Sequence, residues 1–365
     1  MIEITASGSA YQRGLAQRGA APVETVRAAT IARVEEARAS GLIDAEAVAY
    51  LAAQRDFHRD HDPESLAELQ GIADAFGLPE ADLFAHLHLG TLRDLKRGGV
   101  LIEGCSAVAI PAGPEGPLVF KNRDFSGLHL GVQCVLRHTG GDIRTGEILS
   151  LGSLGSLAAW SSGINAAGLA VADTQVAVNR HHVGWLRYFL MPRLLARAAT
   201  VAEALTMIRS LPHAGGGTLV LADRSGATAA VELSAGGVAI AQGGLQWRTN
   251  HYTDAATKGE TLGAEGDRIA GNSHQRSAYL ARVLPGRDWT AAAARALMAT
   301  HAKADGTAEG APLCQHGGDH DGGHGGGHDG AETISSVVYS CHSGGMEINE
   351  GTPCLGRWQR MRPSV

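Results

Sequence analysis

The stretch Gly104-Cys105-Ser106-Ala107-Val108-Ala109-Ile110, with Pro111-Ala112-Gly113-Pro114-Glu115-Gly116-Pro117 and Leu118-Val119-Phe120 after it, divides this 365-residue chain into two textures. Ser106–Ile110 is short and apolar, the proline-glycine run is dense turn chemistry, and Leu118–Phe120 resumes as a strand. A cysteine directly after glycine, where a helical region gives way to strands, is also a chemical opportunity. A thiol inside a peptide chain has a pKa of about 8.5, so little of it is thiolate at neutral pH. If the Gly104–Cys105 bond is cut, the new α-amine (pKa of about 7.7–8.0) can take the thiol proton itself. Glycine before the cut offers little steric hindrance and tolerates unusual backbone geometry. On the dipeptide alone, a small buried core cysteine explains Cys105 as well.

Upstream, the first hundred residues read as helical. Ala, Arg, Glu and Gln dominate Tyr11–Leu42. Asp62-Pro63-Glu64 predicts a helix start, the apolar residues Leu66, Leu69, Ile72, Ala73 and Phe76 follow at helical spacing, and Gly77 and Pro79 predict its stop. Another helix is predicted from about Glu80 to Leu95. Downstream, strands are predicted at Val132–Arg137, Ala158–Ser161, Gly168–Ala172, Thr218–Ala222, Ala229–Leu233, Gly237–Ala241, Thr333–Ser340 and Met346–Asn349. Helices are predicted near Leu186–Ala198, Val201–Ser210, His274–Leu284 and Thr290–Ala299. Runs of strands with segregated helices imply an α+β layered domain rather than a βαβ sheet.

The formal net charge of −6, with scattered basic residues, argues against nucleic acid as a partner. No run of 18 apolar residues is present, so no membrane span is expected. The N-terminus lacks the pattern of a secretory signal, and five widely spaced cysteines make a poor disulfide framework; a reduced, cytoplasmic setting is expected.

The ordered set of segments is more specific than any one of them. Gly104-Cys105-Ser106, Lys121-Asn122-Arg123-Asp124-Phe125, Gly163-Ile164-Asn165, Arg248-Thr249-Asn250-His251, Asn272-Ser273-His274-Gln275-Arg276 and the closing Gly351-Thr352-Pro353-Cys354 together resemble the isopenicillin-N acyltransferase family, peptidase family C45. The resemblance implies an N-terminal nucleophile hydrolase fold, a four-layer αββα sandwich. It implies self-cleavage between Gly104 and Cys105, with residues 1–104 a small helical subunit that stays attached to the nucleophile-bearing core, 105–365. By the same resemblance Cys105 is the nucleophile, Asp124 orients the new ammonium and thiol, and Asn250 donates to the oxyanion. Asn122, Arg123, Asn165, His251 and Arg276 are the expected substrate-binding residues. With its own amine available, the cysteine does not require His251 as a base, and a helical Arg276 has a structural ion pair as its simplest role. The family's fungal acyltransferase carries a catalytic Arg shortly before the last long strand, whereas here the match falls on Gly330, leaving Arg123 or Arg276 as the charge partner.

The implied activity is cleavage of a small amide through an acyl-enzyme, with no cofactor; the alternative is transfer of an acyl group from a thioester or amide to an amine. A small-molecule amide or acyl donor is the expected partner. A family member that folds without cutting itself is a further reading. A different class is a metal-binding protein built around the Gly-rich tract at 316–330, in which His316, His320, His324 and His328 recur at every fourth residue. Imidazoles and carboxylates there can bind Zn²⁺, Ni²⁺ or Cu²⁺, but so glycine-rich a tract fixes neither geometry nor supporting hydrogen bonds, so only weak binding is expected and no catalytic metal.

Overall fold

The structure, a computed structural model, describes residues 1–97, 104–262, 268–301, 313–316 and 331–364. Strand β1 (Ile2–Ser7) is followed by helices α1 (Ala10–Leu15), α2 (Val23–Ala29), α3 (Ile31–Ala39), α4 (Ala45–His61), α5 (Pro63–Phe76) and α6 (Glu80–Leu95). Then come strands β2 (Gly104–Ile110), β3 (Leu118–Ser126), β4 (Gln133–Thr139), β5 (Ile148–Ser153), β6 (Ser162–Asn165) and β7 (Ala170–Gln175). Helices α7 (Arg187–Arg197) and α8 (Val201–Arg209) precede β8 (Gly217–Ala222), β9 (Thr228–Ser234), β10 (Gly237–Gln242) and β11 (Gln246–Arg248). The chain closes with α9 (Arg268–Val283), α10 (Ala291–Met298), β12 (Ala331–Ser340), β13 (Gly345–Glu350) and β14 (Trp358–Met361).

The strands form two sheets, one of eight in the order β1-β4-β5-β6-β7-β8-β9-β10 and one of six in the order β11-β2-β3-β12-β13-β14. Three apolar layers show how they stack. Ala107, Ala109 and Val119 of the smaller sheet meet Val135, Leu149, Leu151 and Val220 of the larger between the sheets. The outer face of the larger sheet packs with Leu69, Leu83, Phe189 and Leu194 of α5, α6 and α7. The outer face of the smaller sheet packs with Leu280, Ala294 and Leu297 of α9 and α10. This is the expected αββα sandwich. It explains why β2 is buried along its whole length, with hydrocarbon on both faces.

Helix α5 begins with Pro63 at its first turn and ends at Gly77 (φ 64°), and α6 spans the predicted Glu80–Leu95. Elsewhere the sequence reading needs correction. The first hundred residues are not purely helical, because β1 lies parallel to β4, pairing Ile2 with Cys134 through Ser7 with Thr139. The predicted strand at Ala158–Ser161 is a turn, with Ala159 at φ 52°. Three hydrogen bonds from the helical segment hold the stretch from 155 to 158: Gly155 N–H to Gln17, Gln17 to the Ser156 carbonyl, and Ala158 N–H to Glu68. Apolar residues at 157–160 mimic a strand because both this turn and a central strand are buried. Helix α1 crosses α5 at backbone contact: a Cβ on Gly14 would lie 2.0 Å from the Glu68 carbonyl oxygen.

Candidate active site

Antiparallel pairing of β2 and β3 sets Gly104 opposite Asp124 and Cys105 opposite Arg123. Cys105, 6 % exposed, lines a narrow cleft with Lys121, Arg123, Asp124, Trp160 and Asp173. Its volume is about 20 Å³, room for about one water. A wider groove of about 590 Å³ near Met346 and Arg360 lies away from these residues.

Side chains alternate along β3. Lys121 points at the larger sheet, where it donates to the Ser161 carbonyl (3.2 Å) and pairs with Asp173. Asn122 points the other way, donating to the carbonyls of Met298 (2.9 Å) and Leu313 (2.5 Å) and accepting from Ser336 Oγ. Arg123 donates to Ser153 Oγ and lies 4.8 Å from the Trp160 ring. Asp173 also accepts from Arg187 Nε (2.6 Å), whose Nη2 donates to Gln175 Oε1. Three cations therefore border the cleft with two carboxyl groups.

The Cys105 backbone N–H donates to Asn250 Oδ1 (3.0 Å). Asn250 Oδ1 also accepts from Arg276 Nη2 (2.8 Å), and Asn250 Nδ2 donates to the Gln175 carbonyl (2.8 Å). Two donors converging on one side of the amide fix its orientation. Asn250 holds the Cys105 backbone nitrogen, a contact that sequence reasoning had not assigned.

Arg276, fully buried on α9, donates from Nη1 to the Cys105 carbonyl (2.6 Å) and Ser106 Oγ (2.9 Å), and from Nε to Asn272 Oδ1 (2.7 Å). Asn272 Nδ2 donates to Gln315 Oε1 (3.3 Å), and Gln315 Nε2 donates to Asp124 Oδ2 (2.8 Å). Asp124 Oδ1 accepts from Thr333 Oγ1 (2.7 Å). A continuous run of hydrogen bonds thus joins Asp124 to the Cys105 carbonyl through Gln315, Asn272 and Arg276. Burial raises the Asp124 carboxyl above its usual range, against the opposing pull of Arg276, Thr333, Gln315 and Lys121.

Among the other cysteines, burial pushes Cys134 and Cys341 up to about 12, which leaves them inert thiols at neutral pH. His251 is drawn down to about 4, first by burial and then by His274 and Arg276; its Nδ1 meets Ser273 Oγ at 2.8 Å and its ring stacks on His274. It is neutral at ordinary pH and lies outside the residues lining the cleft.

Of the expected residues, Cys105, Asp124, Asn250, Arg123 and Arg276 come together. Asn122, Asn165 and His251 do not line the cleft. Asn165 Nδ2 donates to the carbonyls of Leu195 and Ala198 and its Oδ1 accepts from Leu169 N–H, so it braces the end of α7. Lys121, Asp173, Gln175, Arg187, Asn272, Gln315 and Thr333 were missed. Only Lys121 and Asn272 stood inside quoted motifs; Gln315 precedes a low-complexity tract that hides it. His320, His324, His328 and Gly330 lie outside the described residues.

The sequence model of the family described as acyl-coenzyme A:6-aminopenicillanic acid acyl-transferase matches residues 112–305. The matched stretch contains Asp124, Asn250 and Arg276 and begins after Cys105. No curated protein matches by sequence. Among solved structures, a mutant of the conjugated bile acid hydrolase from Clostridium perfringens is 12% identical, with TM-score 0.44, over 71% of this chain and 92% of that one. Penicillin V acylase from Agrobacterium tumefaciens is 15% identical, with TM-score 0.36, over 67% of this chain and 82% of that one.

Proposed function

The chain belongs to the acyl-coenzyme A:6-aminopenicillanic acid acyl-transferase family, and from that membership we propose a self-processing enzyme that cleaves a small amide through an acyl-enzyme on Cys105. Acyl transfer or amide hydrolysis is the chemistry of the class. The observation that carries the finer reading is the grip of Asn250 Oδ1 on the nitrogen of Cys105, a residue that lines a cleft together with Asp124.

In the uncut chain, Asp124 accepts the Cys105 thiol proton. A carboxyl group whose pKa is raised by burial is better matched to that task near neutral pH than an ordinary one. Sγ attacks the Gly104 carbonyl carbon; the C–S bond forms, the C–N bond breaks, and the proton passes to the departing nitrogen. Water then hydrolyses the thioester, freeing the Gly104 carboxylate and leaving Cys105 with an α-amine. Lys121, Arg123 and Arg276 favour the thiolate through their charge.

In the mature enzyme the α-amine, held by Asn250 Oδ1, takes the thiol proton. Sγ attacks the substrate carbonyl, and the second Asn250 Nδ2 proton, the one not given to Gln175, stabilises the oxyanion. The leaving amine departs with the proton and water resolves the acyl-enzyme. Acyl transfer to an amine shares every step but this last. Residues 1–104 remain attached after the cut, held by the pairing of β1 with β4.

Intact-mass analysis and N-terminal sequencing test this reading. Two fragments are expected, the larger beginning Cys-Ser-Ala-Val, with only the uncut chain for Cys105→Ala. A parent chain that stays whole and does not react with a thiol-directed acyl probe would overturn it.

A further inference from the structure

Four potential metal ligands from three separate stretches converge beyond the C-terminal end of α10. His301 follows that helix, Cys314 and His316 flank Gln315, and Cys354 sits in the short 3₁₀ turn Pro353–Leu355. Their ligand atoms all lie within 4.8 Å of one another. His316 Nε2 is 3.0 Å from His301 Nε2, 3.7 Å from Cys314 Sγ and 3.6 Å from Cys354 Sγ.

Tetrahedral zinc has Zn–N of about 2.0–2.1 Å and Zn–S of about 2.3 Å, which sets N···S edges at about 3.5 Å and N···N edges at about 3.3 Å. Both sulfur–nitrogen separations fall within 0.2 Å of that edge, and the nitrogen pair is about 0.3 Å tighter. Two thiolates and two imidazoles form the ligand set that selects zinc among common cations. We propose that His301, Cys314, His316 and Cys354 form a tetrahedral structural zinc site, closed by four protein ligands. The proposal differs from the expectation of weak binding confined to the histidine tract: His316 stands at the start of that tract but groups with two cysteines and with His301.

The site staples the end of α10 and the 313–316 segment to the turn after β13. That segment is already anchored at Cys314 N–H to the Thr300 carbonyl (2.9 Å) and Thr333 N–H to the Gln315 carbonyl (2.9 Å). Gln315, between two of the ligands, donates to Asp124. The metal therefore fixes the residue that holds the proposed catalytic carboxylate, making Gln315 a positioning residue. This consequence rests on the catalytic reading above. Metal content does not depend on turnover, so the two can fail separately.

The test is elemental analysis of the untagged full chain after dialysis against a chelating resin, with Co²⁺ substitution of the same protein. One equivalent of zinc is expected, with Co²⁺ giving the intense visible bands and the thiolate-to-metal charge transfer of a tetrahedral sulfur-containing site. Replacing residues 317–330 by a Gly-Ser linker should leave both unchanged. Cys354→Ser and His301→Ala, both at exposed positions, should each abolish retention. Four results would overturn the proposal: no stoichiometric zinc in the parent after zinc loading, loss of the metal with the linker variant, full retention in Cys354→Ser, or a Cys314–Cys354 disulfide in the protein as isolated. The cobalt spectrum of the parent reports thiolate ligation even where a variant fails to fold.

Discussion

Replacing Arg276 by methionine removes four hydrogen bonds from the interior, those to Cys105 O, Ser106 Oγ, Asn250 Oδ1 and Asn272 Oδ1. Methionine keeps much of the volume, so the loss is mainly electrostatic. Hydrogen bonds to a charged group are worth about 1.5–3 kcal/mol each, but freeing the guanidinium from its buried position returns part of its desolvation cost. Breaking such a buried charge cluster on one side leaves a net cost of roughly 3–5 kcal/mol. In a chain of 365 residues that lowers the melting temperature by roughly 4–7 °C. Arg276→Lys keeps the charge but lacks the planar fork that reaches Cys105 O and Asn250 Oδ1 together, so it should fall between the two. Scanning calorimetry reads the stability, and intact mass against time reads the cut. The proposed cut should slow by roughly 10²-fold or more in Arg276→Met, because Asn250 and strand β2 both lose their anchor. A variant that melts within about 1 °C of the parent and matures at the parent's rate would show that this guanidinium is a spectator.

Three further outcomes are expected. Asn250→Ala should lower acylation by about 10²–10³-fold, read as the burst rate with an activated amide, and an unchanged burst would remove Asn250 from the oxyanion. Asp173→Leu strands the buried Lys121 and Arg187 without their shared carboxylate and should cost about 3–5 kcal/mol in urea unfolding; an unaltered midpoint contradicts the pairing. Burial pulls His58, His88 and His138 down to about 2, 4 and 3. Each stays neutral in the native chain, while an unfolded histidine titrates near pH 6.5. Stability is thus fully present above about pH 6.5 and falls as pH drops toward 4, by up to about 1.4 kcal/mol per pH unit per histidine. Denaturant titrations at pH 7, 5.5 and 4 should show this slope, and His88→Gln should flatten it; a level profile would mean that these rings are charged when folded.

The layers were legible because segregated helices and apolar strands leave strong local periodicities, and α5 carries its start signal in Pro63 and its stop in Gly77. The strands β1, β5, β6, β11 and β14 were not. β1 earns its place only through a parallel neighbour more than a hundred residues away, which no local pattern announces. Cys105, Asp124 and Asn250 were singled out because short motifs recur in a recognisable order, and the fold brings them close. Gln315, Asp173 and Arg187 matter through what they touch, and contact is invisible in a linear string. The zinc ligands illustrate the same limit: the regular spacing of histidines drew attention to the tract, whereas Cys354 and His301 reach their companions only through the folding of the smaller sheet and α10.

The strand β1 has an implication for the order of events in the life of this molecule. It precedes the proposed break yet forms one edge of the eight-stranded sheet, most of which is built from sequence after that break. Before scission the sheet assembles within one covalent string, and its edge is always at hand. Afterwards the same architecture is a two-body complex, and its recovery from the unfolded state becomes a second-order encounter that dilution disfavours. Scission would then act as a ratchet, licensed only in a chain already folded and hard to reverse once thrown.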